Sequence, residues 1–289
     1  MSLDSARLDT ALDTARTALL AERVAEGHWE GELSSSALST AVACAAMQHV
    51  QTATGTEEHC ALIQGGLHWL AEHTNADGGW GDTTKSLSNI STTTLCWATF
   101  HAVPGALEEH AEVVAAAEQW LTKAAGGVTP NYLAPAIIAR YGKDRTFSVP
   151  ILTHCALAGK GRWKDVIQLP FELAVLPRNW FAALRLPVVS YALPALIAIG
   201  QCRHQHRPSW NPFTRVLRNA AREKTLQVLE QIQPSNGGFL EATPLTSFVT
   251  MSLAGCGLPD HPVARNCLLY TSDAADDMQC VDLGGRRII

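Results

Sequence analysis

The chain has 289 residues, 47% of them hydrophobic, which predicts a folded globular protein with a sizeable core. The charged fraction is 17%, and the net charge of -5 offers no basic face to a nucleic-acid backbone. Neither a signal pattern nor an apolar run of about 20 residues occurs. We therefore expect a cytoplasmic protein without a nucleic-acid partner.

The cysteines and histidines give no sign of a disulfide framework or a metal site. The eight cysteines are scattered singly, without a Cys-x-x-Cys pair, and are expected to be reduced and mostly buried. His204 and His206 are the closest histidines, and the polar stretch around them predicts a solvated loop. The sequence therefore predicts neither a metal nor an organic cofactor.

Apolar residues recur at helical spacing along almost the whole chain, whereas alternating strand-like runs are nearly absent. The fold class predicted is therefore all-α. Beyond the helical patterns around residues 42–50, 62–70 and 95–100, glycine, proline, asparagine and aspartate separate further predicted helices. These cover 108–124, 130–141, 147–157, 187–201, 213–233 and 245–256.

An internal repeat is the most informative feature of the sequence. Four segments, 18–29, 68–80, 119–127 and 228–239, share a helix end and a glycine-containing turn. All but the third then have an aromatic residue, namely Trp29, Trp80 or Phe239. The glycine is expected to cap the helix and the aromatic to pack back over it, so that Trp29 and Trp80 act as structural clamps. Helix pairs of this kind either stack into an open solenoid or close into a barrel.

This unit resembles the QW motif of squalene–hopene and oxidosqualene cyclases. The glutamine of the motif is present as Gln233 in the fourth copy, whereas Arg23 and Thr74 stand at that position in the first two, and Phe239 replaces the last tryptophan. The segments 27–33 and 239–253 also resemble this family. The resemblance covers roughly residues 10–266, so we assign 1–266 to a partial N-terminal cyclase domain.

The resemblance implies a truncated α/α barrel (toroid) of helix hairpins that forms one wall of a cavity for a linear, squalene-like isoprenoid. Family members start cyclisation with an aspartate of an Asp-x-Asp-Asp motif in a second domain, and residues 1–266 contain no such motif. No catalytic residue is therefore assigned, and we expect the fragment to be inactive alone. By position, the resemblance places Ala183, Ala242, Thr243 and Pro244 at the substrate cavity.

One segment suggests an association with membranes. Trp210 and Phe213 precede Val216 and Leu217, and Arg215, Arg218, Arg222 and Lys224 are interspersed. Such a basic amphipathic stretch suits the surface of an anionic membrane, which would place the protein peripherally on the inner face. A solvated helix packed by its apolar face is an equal alternative.

The last 23 residues, 267–289, show neither helical nor strand periodicity. They resemble the in-frame translation of a sequencing-library adapter, so we assign them to a non-native tail and exclude them from the fold. The native sequence is then expected to stop near Asn266. The tail is expected to pack against nothing, and its Asp273, Asp276 and Asp277 are not taken for a catalytic cluster.

Two other functions remain open. A zinc-dependent prenyltransferase β-subunit shares the helical barrel and similar repeats, but it needs an Asp, a Cys and a His at the metal, and 1–266 contain no Asp-x-Cys pair. A non-catalytic helical repeat protein would bind a partner on a concave face. An apolar, aromatic-lined interior favours the cyclase, and a charged concave face favours the binding protein.

Overall fold

The computed structural model describes residues 4–25, 27, 29, 35–176 and 192–280, with side chains as far as Asp273. The chain divides into two compact units, 1–35 and 36–289. Unit 1 contains helix α1 (Ser5–Ala21), which Asp4 caps by accepting a hydrogen bond from the Ala6 amide. No residue of α1 is buried.

The core of unit 2 is made by helices that are buried on nearly all sides. They are α2 (Ala37–Thr54), α4 (Ile90–Ala102), α8 (Arg145–Leu157), α9 (Leu193–His206) and α11 (Thr243–Gly255). Buried residues run almost without interruption along each of them, because neighbouring helices cover every face. We call these five the inner helices.

A second set of helices buries only one stripe each and exposes the opposite face. This outer set comprises α3 (Cys60–Glu72), α6 (Ala111–Ala125), α7 (Pro130–Tyr141), α10 (Pro212–Gln231) and α12 (Pro262–Cys280). Their apolar stripes provide the outer layer of the core. The short α5 (Ala106–Glu109) and two 3-10 helices, Phe171–Val175 and Phe239–Glu241, complete the described elements.

The inner helices form a closed ring. Contacts join α2 to α4, α4 to α8, α8 to α9, α9 to α11, and α11 back to α2. The ring is parallel: the Cys96 and Thr99 side chains of α4 donate to the Ala37 and Ala41 carbonyls of α2, so both helices rise together. At the other end, His206 of α9 bonds the Gly255 carbonyl of α11.

The predicted all-α fold and the toroid of helix hairpins are therefore confirmed, and between the two architectures left open the barrel is the one formed. Helix α7 coincides with the predicted range 130–141, and most other boundaries shift by a few residues. The first residues of the predicted helix 187–201 lie outside the described residues. Asn89 caps α4, since its side-chain oxygen accepts hydrogen bonds from the amides of Ser91 and Thr92.

Two expectations are wrong. Residues 267–280 continue helix α12, and both Cys267 and Thr271 are completely buried, so the start of the tail is packed. Cys267 belongs to the same apolar cluster as Leu229 and Phe239. The pair His204 and His206 belongs to helix α9 rather than to a loop, because this helix extends beyond the predicted end.

Candidate functional site

The parallel ring brings the N-terminal ends of the inner helices to one end of the barrel. There the Ser36 hydroxyl, which caps α2, donates to the Asp82 carbonyl ahead of α4 at 2.8 Å. The hydroxyls of Ser91 on α4 and Tyr141, the last residue of α7, are 2.7 Å apart, which connects α4 to the end of α7. This end is therefore held by polar contacts, whereas the middle of the ring is mainly apolar.

The predicted cavity residues Ala242, Thr243 and Pro244 lie where α11 begins. Ala242 is the residue before the helix, and its carbonyl accepts hydrogen bonds from the backbone and the hydroxyl of Thr246. Pro244 stands in the first turn, where its missing amide hydrogen costs nothing. All three are half-buried. Ala183, the fourth predicted cavity residue, lies outside the described residues.

The turn ahead of Ala242 has an unusual backbone. Leu240 and Glu241 have φ angles of 57° and 51°, in the left-handed region that non-glycine residues rarely adopt. Residues in this conformation cost free energy and are concentrated at functional sites. The chain therefore enters the candidate cavity segment through a strained turn.

The second repeat forms a tight clasp around Trp80. Its indole Nε1 donates to the Leu70 carbonyl of α3 at 2.9 Å, so the ring packs back on the helix that has just ended. The Trp80 amide donates to the hydroxyl of Thr93 on α4, which in turn donates to the Trp80 carbonyl. The Trp80 side chain is 1% exposed. The clasp thus joins an outer helix to the next inner helix.

The fourth repeat uses the same plan with different residues. The Phe239 amide donates to the Thr246 hydroxyl of α11 at 3.0 Å, as the Trp80 amide does to Thr93. Gln233 donates to the carbonyls of Gly237 at 3.1 Å and Val263 at 3.2 Å, and its own carbonyl accepts from Asn266. Gln233 therefore ties the turn to α12.

The turn glycines are required by both backbone shape and space. Gly78 and Gly237 have φ angles of 84° and 83°. A Cβ on Gly237 would come within 2.4 Å of the Asn266 carbonyl oxygen, and one on Gly78 within 3.0 Å of that of Ala116. Each turn therefore lies against the following outer helix, α12 or α6, with no room for a side chain.

An acidic residue reinforces the second clasp. The Asp77 carboxylate accepts hydrogen bonds from the Ser88 hydroxyl at 2.6 Å, the Trp120 indole at 2.9 Å and the Gly79 amide at 3.2 Å. The bond from Ser88 is the main cause that lowers the pKa of Asp77, and those from Trp120 and Gly79 act in the same direction. Its place in the fourth repeat is taken by Asn236, which accepts from Gly238.

The first repeat has the same local bonds at the surface of unit 1. The indole of Trp29 donates to the Leu19 carbonyl at 2.6 Å, again ten residues earlier, so Leu19 corresponds to Leu70 of the second repeat. Arg23 stands in the glutamine position and donates to the Gly27 carbonyl at 2.8 Å. Trp29 remains 45% exposed.

The third repeat lacks an aromatic at the expected position, but one comes from the next helix. The Tyr132 ring of α7 lies so close to the turn that a Cβ on Gly127 would meet it at 2.7 Å. Half of the Tyr132 side chain is exposed. This aromatic was missed because it stands beyond the turn, in the first part of α7.

Sequence reasoning also missed two histidines on the inner helices, of which His49 is half-buried. His154 of α8 is fully buried, and its Nε2 lies 3.2 Å from both the Leu95 carbonyl and the Thr99 hydroxyl of α4. Burial, and secondarily the nearby His49 of α2, lowers the pKa of His154 to about 3. Burial lowers the pKa of His49 to about 4. Both are therefore neutral at pH 7.

The predicted membrane-facing stretch is strongly exposed. Phe213 at the start of α10 is 85% exposed, Trp210 is fully exposed, and Val216 and Leu217 are more than half exposed. The first turns of α10 therefore bury no large apolar side chain, whereas Leu226 and Leu229 in its second half pack into the core, as the alternative of a helix packed by its apolar face expects. Within the described part of the chain, no helix is long and apolar enough to cross a bilayer.

The described residues were searched for groups that could donate a proton or bind a metal ion. The Asp77 carboxylate, a candidate acid by type alone, is occupied by three donors in the repeat turn. Within the same ranges, no three side chains among His, Cys, Asp and Glu converge as metal ligands would. The hydrogen bonds of the repeats hold the helices in place, and the helices contribute mainly apolar side chains to the core.

One comparison with known proteins gave a match. The family model described as "Squalene-hopene cyclase N-terminal domain" matches residues 12–199, which is more than half of the chain. A search of curated proteins found no match. The matched region begins in α1 and includes the repeats at Trp29 and Trp80, together with the first four inner helices as far as Ile199.

Proposed function

The chain belongs to the squalene-hopene cyclase N-terminal domain family, and we propose from this membership that it supplies one wall of a cavity in which a squalene-like isoprenoid is cyclised. The reaction is an isomerisation: a proton adds to a terminal alkene, the chain closes through carbocations, and a proton is lost at the end. Such a wall has to exclude water and shape the polyene.

The N-terminal end of the ring is the part of unit 2 that we assign to this cavity. The observation that carries the assignment is the family match, together with the position of Ala242, Thr243 and Pro244 at the start of an inner helix. The strained turn at Leu240 and Glu241 fixes how these residues are presented. We assign Ala183 to the same wall by its place in the sequence.

The acid that starts the reaction is proposed to come from a second domain. An alkene is a very weak base, so protonation demands a strong acid held in a dry pocket beside the terminal double bond. No Asp-x-Asp-Asp motif occurs in the sequence. We therefore expect the chain alone to convert no squalene, which gas chromatography after incubation tests. Polycyclic product above that of a boiled control would contradict the proposal.

A hybrid enzyme tests whether this chain supports cyclisation once a domain with the acid motif is supplied. The full chain joined to the Asp-x-Asp-Asp-bearing half of a squalene–hopene cyclase should yield polycyclic product, and replacing the motif aspartates by asparagine should abolish it. Within the hybrid, Thr243→Trp should change the product pattern, whereas Thr122→Trp, on the exposed face of α6, should not. A folded hybrid without product would exclude this half as a cyclase wall.

We further propose that the chain binds peripherally to the inner face of a membrane, where a water-insoluble isoprenoid resides. The surface that we assign to this contact is Trp210, Phe213, Val216 and Leu217, all exposed. Arg215 and Lys224 are also exposed and form no ion pair with any described residue, so an anionic surface complements this side. Apolar insertion and charge attraction then act together.

Vesicle sedimentation tests the membrane contact independently of catalysis. The chain should bind vesicles of phosphatidylglycerol more strongly than vesicles of phosphatidylcholine, and the double variant W210A/F213A should lose most of this binding. Leu87→Ala is the matched control, because Leu87 is also strongly exposed but lies outside this surface. Equal binding of both vesicle types, or unchanged binding of the double variant, would contradict the assignment.

A further inference from the structure

Two cysteines meet at the C-terminal end of the barrel, opposite the end that holds Ala242, Thr243 and Pro244. Cys202 lies in the last turns of α9, and Cys256 directly follows the last residue of α11. Both are buried and carry free thiols. They belong to adjacent inner helices and are separated by 53 residues of sequence.

The two cysteines are neighbours because their helices pack against each other. Helices α9 and α11 are in contact, and Cys256 directly follows Gly255, the last residue of α11. The Cys202 sulfur also lies 3.3 Å from the position that a Cβ on Gly255 would occupy. One turn further along α9, His206 Nε2 donates to the Gly255 carbonyl at 2.9 Å. The two helix ends are therefore held together beside both cysteines.

The other neighbouring cysteines, Cys44 and Cys96, are arranged differently. The Cys44 thiol donates to the Ile63 carbonyl at 3.8 Å, and the Cys96 thiol donates to the Ala37 carbonyl at 3.7 Å. Each thiol thus has a backbone partner of its own. Both residues stand in the middle of inner helices, whereas Cys256 lies at a helix end, where the backbone is freer to adjust.

We propose that Cys202 and Cys256 form a reversible disulfide that joins α9 to α11 when the protein meets a peroxide. The peroxide first oxidises the Cys256 thiol to a sulfenic acid and releases one water. The Cys202 thiol then attacks that sulfur, the S–S bond forms, and a second water leaves. Two thiols and one hydrogen peroxide thus give one disulfide and two waters, and a dithiol reductant reverses the change.

Cys256 is assigned the first step because it is the more accessible of the two, at 7% exposure against 0% for Cys202. Contact with Cys256, and then burial, raises the pKa of the Cys202 thiol well above its usual value. Little Cys202 thiolate is therefore present at neutral pH, and the bond forms slowly. The inference does not depend on cyclisation, since it concerns the opposite end of the barrel.

Peptide mapping tests the proposal on the full chain carrying Cys60→Ser, which removes the one exposed thiol among the cysteines whose side chains the structure describes. After hydrogen peroxide treatment, alkylation under denaturing conditions and trypsin digestion, we expect a linked peptide pair containing Cys202 and Cys256. The thermal midpoint should rise by several degrees, because the link closes a long loop in the unfolded chain. Dithiothreitol should reverse both changes.

Single variants provide the matched controls. Cys202→Ser and Cys256→Ser should each lose the linked peptides and the thermal shift, whereas Cys155→Ser, at another buried cysteine, should keep both. The mapping itself needs neither variant, so a variant that fails to fold does not weaken the test. Absence of the linked pair at excess peroxide, or a preferred link between Cys44 and Cys96, would overturn the proposal.

Discussion

Trp29 and Trp80 occupy the same place in two copies of one repeat, yet their surroundings differ greatly. Each indole donates to a leucine carbonyl ten residues earlier, at 2.6 Å for Trp29 and 2.9 Å for Trp80. Trp80 is 1% exposed, whereas Trp29 is 45% exposed. The repeat pattern therefore specifies the hydrogen bond, while the packing of each unit decides how much apolar surface the ring buries.

The largest effect is expected at Trp80. Trp80→Ala removes a buried ring and leaves a cavity beside Phe100, whose ring centre is 6.2 Å away. We expect a loss of about 3–5 kcal/mol in the free energy of unfolding, measured by chemical denaturation. Trp80→Phe is the control: it keeps most of the volume and should cost less. A stable Trp80→Ala variant would show that the second repeat is not a clamp.

The next largest effect is a loss of stability at acidic pH. It should affect unit 2, because His49 and His154 both belong to that unit. Burial lowers the pKa of His154 to about 3 and that of His49 to about 4, from an ordinary value of 6.5. Below pH 6.5 the unfolded chain binds protons that the folded chain does not, so stability falls as the pH decreases toward 4. At pH 5 the loss is about 2 kcal/mol for each histidine.

Denaturation at pH 7 and pH 5 measures this loss, and the variants His49→Gln and His154→Gln are informative through their pH dependence rather than their absolute stability. Each variant should flatten the dependence by removing one contribution. His68→Gln, at an exposed position, serves as the comparison. If His154→Gln and the parent protein lose the same stability between the two pH values, the ring interior is not the source of acid sensitivity.

Substitutions at the glutamine position of the repeat, Gln233 and Arg23, should change the free energy of unfolding by smaller amounts. Gln233→Ala removes donors to the carbonyls of Gly237 and Val263 and an acceptor for Asn266, so we expect a loss of about 1–2 kcal/mol. Arg23→Ala removes one hydrogen bond and the contact with the Trp29 ring, both at the surface, and should cost less than about 0.5 kcal/mol. Equal losses in urea denaturation would mean that the bonds to α12 contribute nothing.

The sequence predicts local structure here much better than it predicts which helices meet. Leu95, Trp97 and Phe100 recur at helical spacing, and they lie in α4 as expected. Closure of the ring depends on contact between α2 and α11, about 200 residues apart, and no local pattern specifies that pairing.

The sequence analysis failed to predict two features of the fold, the packed helix at the end of the chain and the histidines on the inner helices. A periodic signal at the end of the chain was overlooked: Val263, Cys267 and Thr271 follow one another at four-residue intervals and are all buried. The burial of His49 and His154 could not be predicted, because the local sequence around a histidine in an apolar helix does not show which side of the helix faces the inside of the ring. The cavity residues Ala242, Thr243 and Pro244 came only from the family resemblance, and their role stays a prediction.

The smallest effect among the aromatic residues of the repeats is expected at Trp29, and it tests whether the indole hydrogen bond alone stabilises the fold. Trp29→Ala removes the indole bond to Leu19 and the contact with Arg23, whose guanidinium lies 5.6 Å from the ring centre. Because nearly half of this side chain is exposed, little apolar surface is lost, and water can hydrate the freed Leu19 carbonyl. We expect a loss of at most about 1 kcal/mol, read from the circular dichroism transition. Trp29→Phe should behave almost like the alanine variant, since it also lacks the donor. A loss as large as that of Trp80→Ala would mean that Trp29 is buried in the functioning protein, and that the two repeats are equivalent clamps.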